Sequence, residues 1–151
     1  MRIYRKSAGL RHARVTIAFT GAAGLGAVGT VALFTITGRI WIDTLTAFCT
    51  EALAEAAASA TVACGVAADT DAFIAVTNAI DIDLNEWWNS ATPAAGAVTI
   101  TGTGTTGPST LQKRKLVSTN IILTVAAQNI TDGTIVFDVF YMPVTDNGLL
   151  T

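Results

Sequence analysis

Apolar and polar side chains alternate with a period of two along most of this chain. In residues 13–20, for example, Val15, Ile17 and Phe19 alternate with small or polar neighbours. A period of two is typical of a β-strand with one buried face, whereas an amphipathic helix repeats every 3.6 residues. Similar apolar segments of strand length predict further strands over residues 28–37, 39–48, 59–67, 96–101, 119–127 and 134–142.

Polar and turn-forming segments separate these predicted strands. Residues 21–26 form a Gly-rich connection, and residues 102–108 form a low-complexity tip of Gly and Thr. An Asp-Gly pair at 132–133 lies between two alternating runs, which predicts a β-hairpin turn. Residues 51–58 have a helix-forming composition and predict one or two helical turns or an Ala-rich loop. The apolar run at 72–77 is too short to distinguish a strand from a helical turn.

The number and spacing of the strands predict the fold class. About eight short strands with at most one helix indicate an all-β protein, an antiparallel β-sandwich or a jelly-roll-like barrel. The last strand is apolar on both faces, because Val136, Phe140 and Met142 oppose a second apolar set between 135 and 141. Such a strand needs a covering layer on each side, either from the fold or from another subunit. We divide the chain into a basic N-terminal arm at 1–12, a sandwich domain at 13–147 and a C-terminal tail at 148–151.

The composition narrows the class of protein. Apolar residues make up 51% of the 151 residues and charged residues only 13%, compared with about 25% charged residues in an average soluble domain. Intrinsic disorder is excluded, because disordered chains combine high charge with few apolar residues. So few charges also argue against a free, highly soluble monomer, because they cannot cover the surface of a small domain.

The charges are distributed unevenly along the chain. Five of the nine basic residues lie within the first 14 positions, three more lie at 113–115, and all eleven acidic residues lie between Asp43 and Asp146. A basic arm ahead of a neutral-to-acidic body can contact phosphates or the acidic face of a neighbour. It can equally be a short solvated leader.

One segment has the length and the low charge of a membrane span. Residues 15–38 contain no ionisable side chain, and a helix of this length would cross a bilayer. However, glycines interrupt the middle of the segment and its flanks alternate with a period of two. Strands are therefore favoured over a spanning helix.

The two cysteines, Cys49 and Cys64, are interpreted as buried free thiols, which is common for cysteine in a protein core. A disulfide stays possible if the two residues lie on neighbouring strands. Two cysteines and one histidine, widely spaced, cannot supply the four ligands of a structural zinc site.

The sequence contains no arrangement of residues that is typical of a catalytic site. The only histidine, His12, lies in the basic arm, where a rigid general base is not expected, and no serine lies in a G-x-S-x-G sequence. Residues 81–86 (DIDLNE) resemble the start of a calcium loop, which requires Gly at its sixth position and Glu at its twelfth. This chain has Glu86 and Thr92 there, which favours a solvated or capping loop. We predict no catalytic, cofactor-binding or metal-binding residue, and no enzyme activity.

Two further features allow more than one interpretation. Trp87 and Trp88 could form a stacking platform for a sugar or a base, or they could plug the end of a sandwich, which we favour. The Gly-rich residues 21–29 lack the Lys-Ser or Lys-Thr ending of a phosphate-binding loop, so phosphate binding is only weakly indicated.

The order of several segments resembles small β-rich virion proteins of tailed bacteriophages. The similarity is a pattern of strands and turns over roughly residues 13–147, without a catalytic motif. The segments that carry it are an alternating strand leading into a Gly-rich loop, TVALFTITG at 30–38, FCTE at 48–51, DIDLNEW at 81–87, ATP at 91–93, TDGTIVF at 131–137 and Met142-Pro143.

This resemblance implies a structural role in the virion, as a capsid decoration (cement) protein that binds the assembled head as a homo-oligomer. A trimer would suit the local three-fold positions of a capsid. The expected partners are the major capsid protein or other virion proteins, with no cofactor, no specific nucleic acid and no membrane. The expected location is the virion, assembled in the host cytoplasm.

On this hypothesis the basic arm makes the assembly contacts with the shell or a neighbour, through Arg2, Arg5, Lys6, Arg11 and Arg14. Two alternatives stay open. One is a tail, neck or fibre-attachment component of the virion, and the other is a carbohydrate-binding, adhesin-like β-sandwich that uses Trp87 and Trp88.

Overall fold

A computed structural model describes residues 9–57, 59–88 and 114–151. Within these ranges the chain forms β-strands and one short 3₁₀ turn, Ala79–Asp81, which confirms the predicted all-β class. The strands are β1 (Arg11–Ala18), β2 (Gly29–Phe34), β3 (Ile36–Thr37), β4 (Ile40–Glu55), β5 (Thr61–Val66), β6 (Asp69–Asn78), β7 (Trp87–Trp88), β8 (Lys115–Val117), β9 (Ile121–Ala126), β10 (Ile130–Pro143) and β11 (Leu149–Leu150).

The strands form two main antiparallel sheets and one short pair. In the first sheet the order is β1-β10-β4, and both β7 and β8 pair with the far side of β4 at different positions. The second sheet has the order β2-β9-β5-β6, and β11 pairs with β3. One hydrophobic cluster contains side chains from both main sheets. The arrangement is a β-sandwich with its core between the two sheets.

The alternation predicted for the last strand is present in β10. Ile135, Phe137 and Val139 are fully buried and Tyr141 nearly so, which places this set in the core. Full burial of a side chain such as Phe137 contributes about 1.5–3 kcal/mol. Strand β10 therefore lies at the centre of the first sheet, between β1 and β4.

The helical prediction for residues 51–58 is wrong at its start, because β4 continues to Glu55. Glu51 and Ala54 pair with β10, and the side chain of Leu53 is buried between exposed neighbours. The Ala- and Glu-rich composition favours a helix only weakly, so pairing with a central strand overrides it.

The predicted hairpin at Asp132-Gly133 is also wrong. Both residues lie inside β10, where the register with β4 shifts, and β9 and β10 belong to different sheets. Gly133 has a φ of 103°, and a Cβ atom there would lie 2.6 Å from the main-chain oxygen of Ala52. The glycine therefore permits a β-bulge and a close strand contact instead of a turn.

Both ends of the predicted domain extend further than the sequence indicated. Arg11 and His12, assigned above to the arm, begin β1, and Leu149–Leu150, assigned to the tail, pairs with β3. Residues 72–77 are part of strand β6. The predicted strand at 96–101, the Gly-Thr tip at 102–108 and residues 1–8 of the arm lie outside the described residues. In the described ranges, none of the chain forms a helix long and apolar enough to cross a membrane.

Candidate functional site

The surface of the first sheet that faces away from the core combines aromatic and aliphatic side chains with one ionic cluster. Residues paired directly across antiparallel strands have side chains on the same face. We call this surface the outer face. It consists of His12, Arg14 and Thr16 of β1, Trp41, Thr44, Thr46 and Phe48 of β4, Trp87 of β7, Leu116 of β8, and Val136, Asp138, Phe140 and Met142 of β10.

Large apolar side chains on the outer face are partly open to solvent. Leu116 is 51% exposed, Trp41 is 40% exposed and Phe140 is 36% exposed, and Phe48, Trp87, Val136 and Met142 are half-buried. Trp41 lies opposite Met142 on one side and Leu116 on the other. The sequence required a layer on each side of β10. The second sheet covers the inner side, and the outer side stays partly exposed.

An ionic cluster lies in the middle of the outer face. The Arg14 guanidinium donates Nε to Oδ1 of Asp138 at 2.8 Å and Nη2 to Oδ2 at 3.0 Å, and His12 Nε2 lies 2.5 Å from Oδ1. The His12 ring also stacks on Phe140, with 4.8 Å between the ring centres. His12 is therefore held on strand β1, which corrects its assignment to the basic N-terminal arm.

The cluster keeps Asp138 ionised. Burial by itself raises the pKa of this carboxyl, but hydrogen bonds and charge interactions with Arg14 and His12 outweigh burial and hold the pKa below its ordinary value. The same pairing raises the pKa of Arg14. The charges of Arg14 and Asp138 cancel, so this pair adds no net charge to the outer face.

The two adjacent tryptophans have different environments. Trp88 is fully buried, its Nε1 donates to Thr77 Oγ1 at 2.9 Å, and its ring meets Phe137 edge-on. Trp88 therefore links the two sheets as the predicted plug and cannot stack on a ligand. Trp87 packs at a tilt on Phe48, with 4.8 Å between the ring centres, and belongs to the outer face.

Of the five basic residues predicted to make assembly contacts, the structure describes only Arg11 and Arg14. Arg2, Arg5 and Lys6 lie outside the described residues. Arg14 is bound to Asp138, whereas Arg11 is exposed and no carboxylate of the described residues lies within salt-bridge distance of it. At the rim of the sheet, Arg114 Nε donates to Asp43 at 2.6 Å.

The acidic loop at 81–86 is hydrogen-bonded to the main chain of β4. Cys49 N donates to the carbonyl of Glu86 at 2.8 Å, and Asn85 N donates to the carbonyl of Cys49 at 2.9 Å. The Glu86 carboxylate accepts the main-chain N–H of Asp83 at 3.0 Å. These contacts are those of a capping loop. Within the described residues, no group of three or more His, Cys, Asp or Glu side chains could hold a metal ion.

The Gly-rich connection uses its main-chain groups internally. Leu25 accepts the N–H of Thr20 and Gly21, and Gly26 accepts the N–H of Ile130 in β10. A Cβ atom at Gly26 would collide with the carbonyl oxygen of Ile130. The glycines therefore allow the loop to pack on β10, which accounts for them without a phosphate.

The cysteines are free and buried, as predicted, and lie in different sheets. Burial raises the pKa of the Cys49 thiol to about 11 and raises the pKa of Cys64 as well. Thiols with raised pKa values are poor nucleophiles at neutral pH. Both cysteines therefore act as small core residues.

Comparison with known proteins shows similarity at the level of fold. No protein-family model matches the chain, and no curated protein matches it. A solved chain from the structure described as "Acidic stable capsid structure of Helicobacter pylori bacteriophage KHP30" is similar, with a TM-score of 0.55 and 13% sequence identity. The match covers 94% of this chain and 92% of that chain. The two proteins share a fold over nearly their whole lengths.

The sequence analysis did not identify three residues that are central to the outer face. Trp41 and Leu116 were not singled out, although an outward Trp in the alternating run at 39–48 was a visible signal. Asp138 was also missed, although a lone acid within an apolar strand indicates a partner for its charge.

Proposed function

We propose that this protein is a non-enzymatic structural component of a bacteriophage virion, and specifically a capsid decoration protein that binds the assembled head as a homo-oligomer. The observation that carries the proposal is the fold shared with a chain of a phage capsid structure over almost the full length of both chains. The match covers 94% of this chain and 92% of that chain, so the similarity extends through both main sheets rather than through a single motif.

The surface properties of the chain support an assembly role. A low content of charge and a partly exposed apolar sheet face are typical of a protein that is covered by other subunits. A closed oligomer would cover such a face, and a trimer would match the local three-fold positions of a capsid.

The shell contact is proposed for the basic N-terminal segment. All eleven acidic residues lie in the described part of the chain together with five of the nine basic residues. Arg2, Arg5 and Lys6 precede this acidic body, and Arg11 is exposed at the start of β1. A positive segment on an acidic body would bind an acidic surface of the shell, and the binding would weaken as salt is raised.

Co-sedimentation with purified heads of the encoding phage tests this proposal. The variant Arg2→Ala/Arg5→Ala/Lys6→Ala should lose head binding while keeping its circular dichroism spectrum and melting temperature. A matched variant, Arg39→Ala/Lys115→Ala, removes two positive charges elsewhere and should still bind. If the wild-type protein does not sediment with heads, the decoration function is wrong. If the triple variant binds as the wild type does, the basic segment is not the contact.

The same assay separates the alternatives. Sedimentation with tails or necks but not with heads would assign the protein to those parts of the virion. A carbohydrate-binding function finds less support, because Trp88 is buried and unable to stack on a sugar. Binding on a glycan array that is lost in Trp87→Ala would favour it over a structural role.

A further inference from the structure

We infer that the outer face of the first sheet is the contact between copies of this chain. This inference specifies the oligomer in the proposed function and rests on it. In a closed ring the outer faces would turn toward the common axis and pack against one another. Sheets pack face to face in this way inside single domains, where apolar side chains of both faces interdigitate.

The size of the outer face suits a stable contact. The face is four strand positions wide, namely β1, β10, β4 and the place that β7 and β8 share beside β4. At about 4.8 Å between strands and about 3.3 Å per residue from Thr134 to Pro143, it measures roughly 19 by 33 Å, or roughly 600 Å² per copy. Stable interfaces start at about that area on each side.

The charges on the outer face favour a second copy as the occupant. Arg14 and Asp138 cancel at its centre, and Asp43 and Arg114 cancel at its rim. Elsewhere in the described residues acidic side chains outnumber basic ones, so a contact between the acidic surfaces of two copies would be opposed by like charges. A strongly charged partner, by contrast, would find no complementary net charge on this face.

The ionic cluster can be buried at such a contact without leaving a charge unpaired. Asp138 already accepts two hydrogen bonds from Arg14 and lies 2.5 Å from His12 Nε2. Removing water from a fully paired carboxylate costs far less than removing it from a lone one. A sugar would instead need polar partners around an exposed ring, but Trp41 is flanked by Met142 and Leu116.

The test measures molar mass in solution by light scattering and sedimentation velocity, without capsids. The wild-type chain should be oligomeric, and Trp41→Lys and Leu116→Lys should each weaken self-association at least tenfold. Matched controls are Val76→Lys and Leu84→Lys, which change side chains that are 53% and 54% exposed but lie off the outer face. The controls should keep the wild-type mass. Circular dichroism checks folding, and Trp41→Gln and Leu116→Gln replace any lysine variant that unfolds.

The result that overturns the inference is a monomeric wild type, or an oligomer whose mass is unaffected by the Trp41 and Leu116 changes. Failure of this inference is distinguishable from failure of the proposed function. A monomer that still sediments with heads would refute only the subunit contact. An oligomer that dissociates as expected but never binds heads would refute only the decoration role.

Discussion

Replacing Thr77 by Val removes the hydroxyl that joins the two sheets through Trp88. Thr77 Oγ1 accepts the indole N–H of Trp88 at 2.9 Å and donates to the carbonyl of Ala75 at 3.0 Å. Both side chains are almost completely buried. Valine has nearly the shape of threonine, so the substitution leaves the packing intact and deprives a buried N–H of its acceptor.

The expected cost follows from this geometry. A buried donor left without an acceptor costs about 1–3 kcal/mol of unfolding free energy. For a domain of about 150 residues, each kcal/mol lowers the melting temperature by about 2–4 °C. Thr77→Val should therefore melt roughly 2–12 °C below the wild type.

A matched control is available in the same sheet. Thr124 Oγ1 is buried, but it has no hydrogen-bond partner among the residues that the structure describes. Thr124→Val makes the same chemical change without breaking a bond, so it should leave stability unchanged or raise it slightly. Urea unfolding followed by tryptophan fluorescence measures both variants. Equal stability of Thr77→Val and the wild type, or an equal loss in Thr124→Val, would refute the role assigned to the Trp88–Thr77 bond.

Three further predictions concern the bulge, the ionic cluster and the thiols. Gly133→Ala should lower the free energy of unfolding by at least ~2 kcal/mol, because the φ of Gly133 is 103° and the main chain of β4 lies against it. Gly9→Ala should leave the free energy of unfolding nearly unchanged in the same urea titration, because a Cβ atom at Gly9 would meet none of the described residues within 4 Å. The pKa of Asp138 is lower in the folded protein than in the unfolded chain, where it is about 3.9. The ionised carboxylate therefore stabilises the folded state above about pH 3.9, and this stabilisation is lost as the pH falls through the lower pKa of the folded state. Asp138→Asn should therefore have a lower melting temperature than the wild type at pH 7, and the difference in melting temperature should shrink as the pH is lowered to 2. Cys49 and Cys64 should react with a thiol reagent at pH 7 only after unfolding, and rapid labelling of the native protein would contradict their burial.

Strands β1, β9 and β10 were predictable because their apolar side chains recur with a period of two in the sequence. The buried set from Ile135 to Tyr141 and the two-faced character of β10 both follow from alternation alone. The wrong predictions arose where the local composition favours one structure and pairing with a strand distant in the sequence imposes another. The Asp-Gly pair at 132–133 has the composition of a turn, but β10 needs a bulge to pass β4. Residues 51–55 have the composition of a helix, but they pair with β10.

The outer face could be predicted only in part. Its apolar side chains on β10 are visible in the alternation, whereas the ionic cluster depends on the register that places Arg14 beside Asp138. These residues are 124 positions apart, and no local pattern specifies which strands become neighbours. The distribution of charges along the chain therefore groups Arg14 with the basic N-terminal residues, although its guanidinium is bound within the sheet.

The basic residues near the N-terminus accordingly divide into two groups with different physical roles. His12 and Arg14, both on β1, are bound to Asp138 of β10, so their side chains already have partners within the fold. Arg2, Arg5 and Lys6 precede the strand and carry the charge that the proposal assigns to the shell. A deletion of residues 1–12 would remove His12 and disturb the cluster, mixing loss of stability with loss of binding. Substitutions confined to residues 2–6 leave β1 whole, so a loss of head binding in such a variant reports on the shell contact alone.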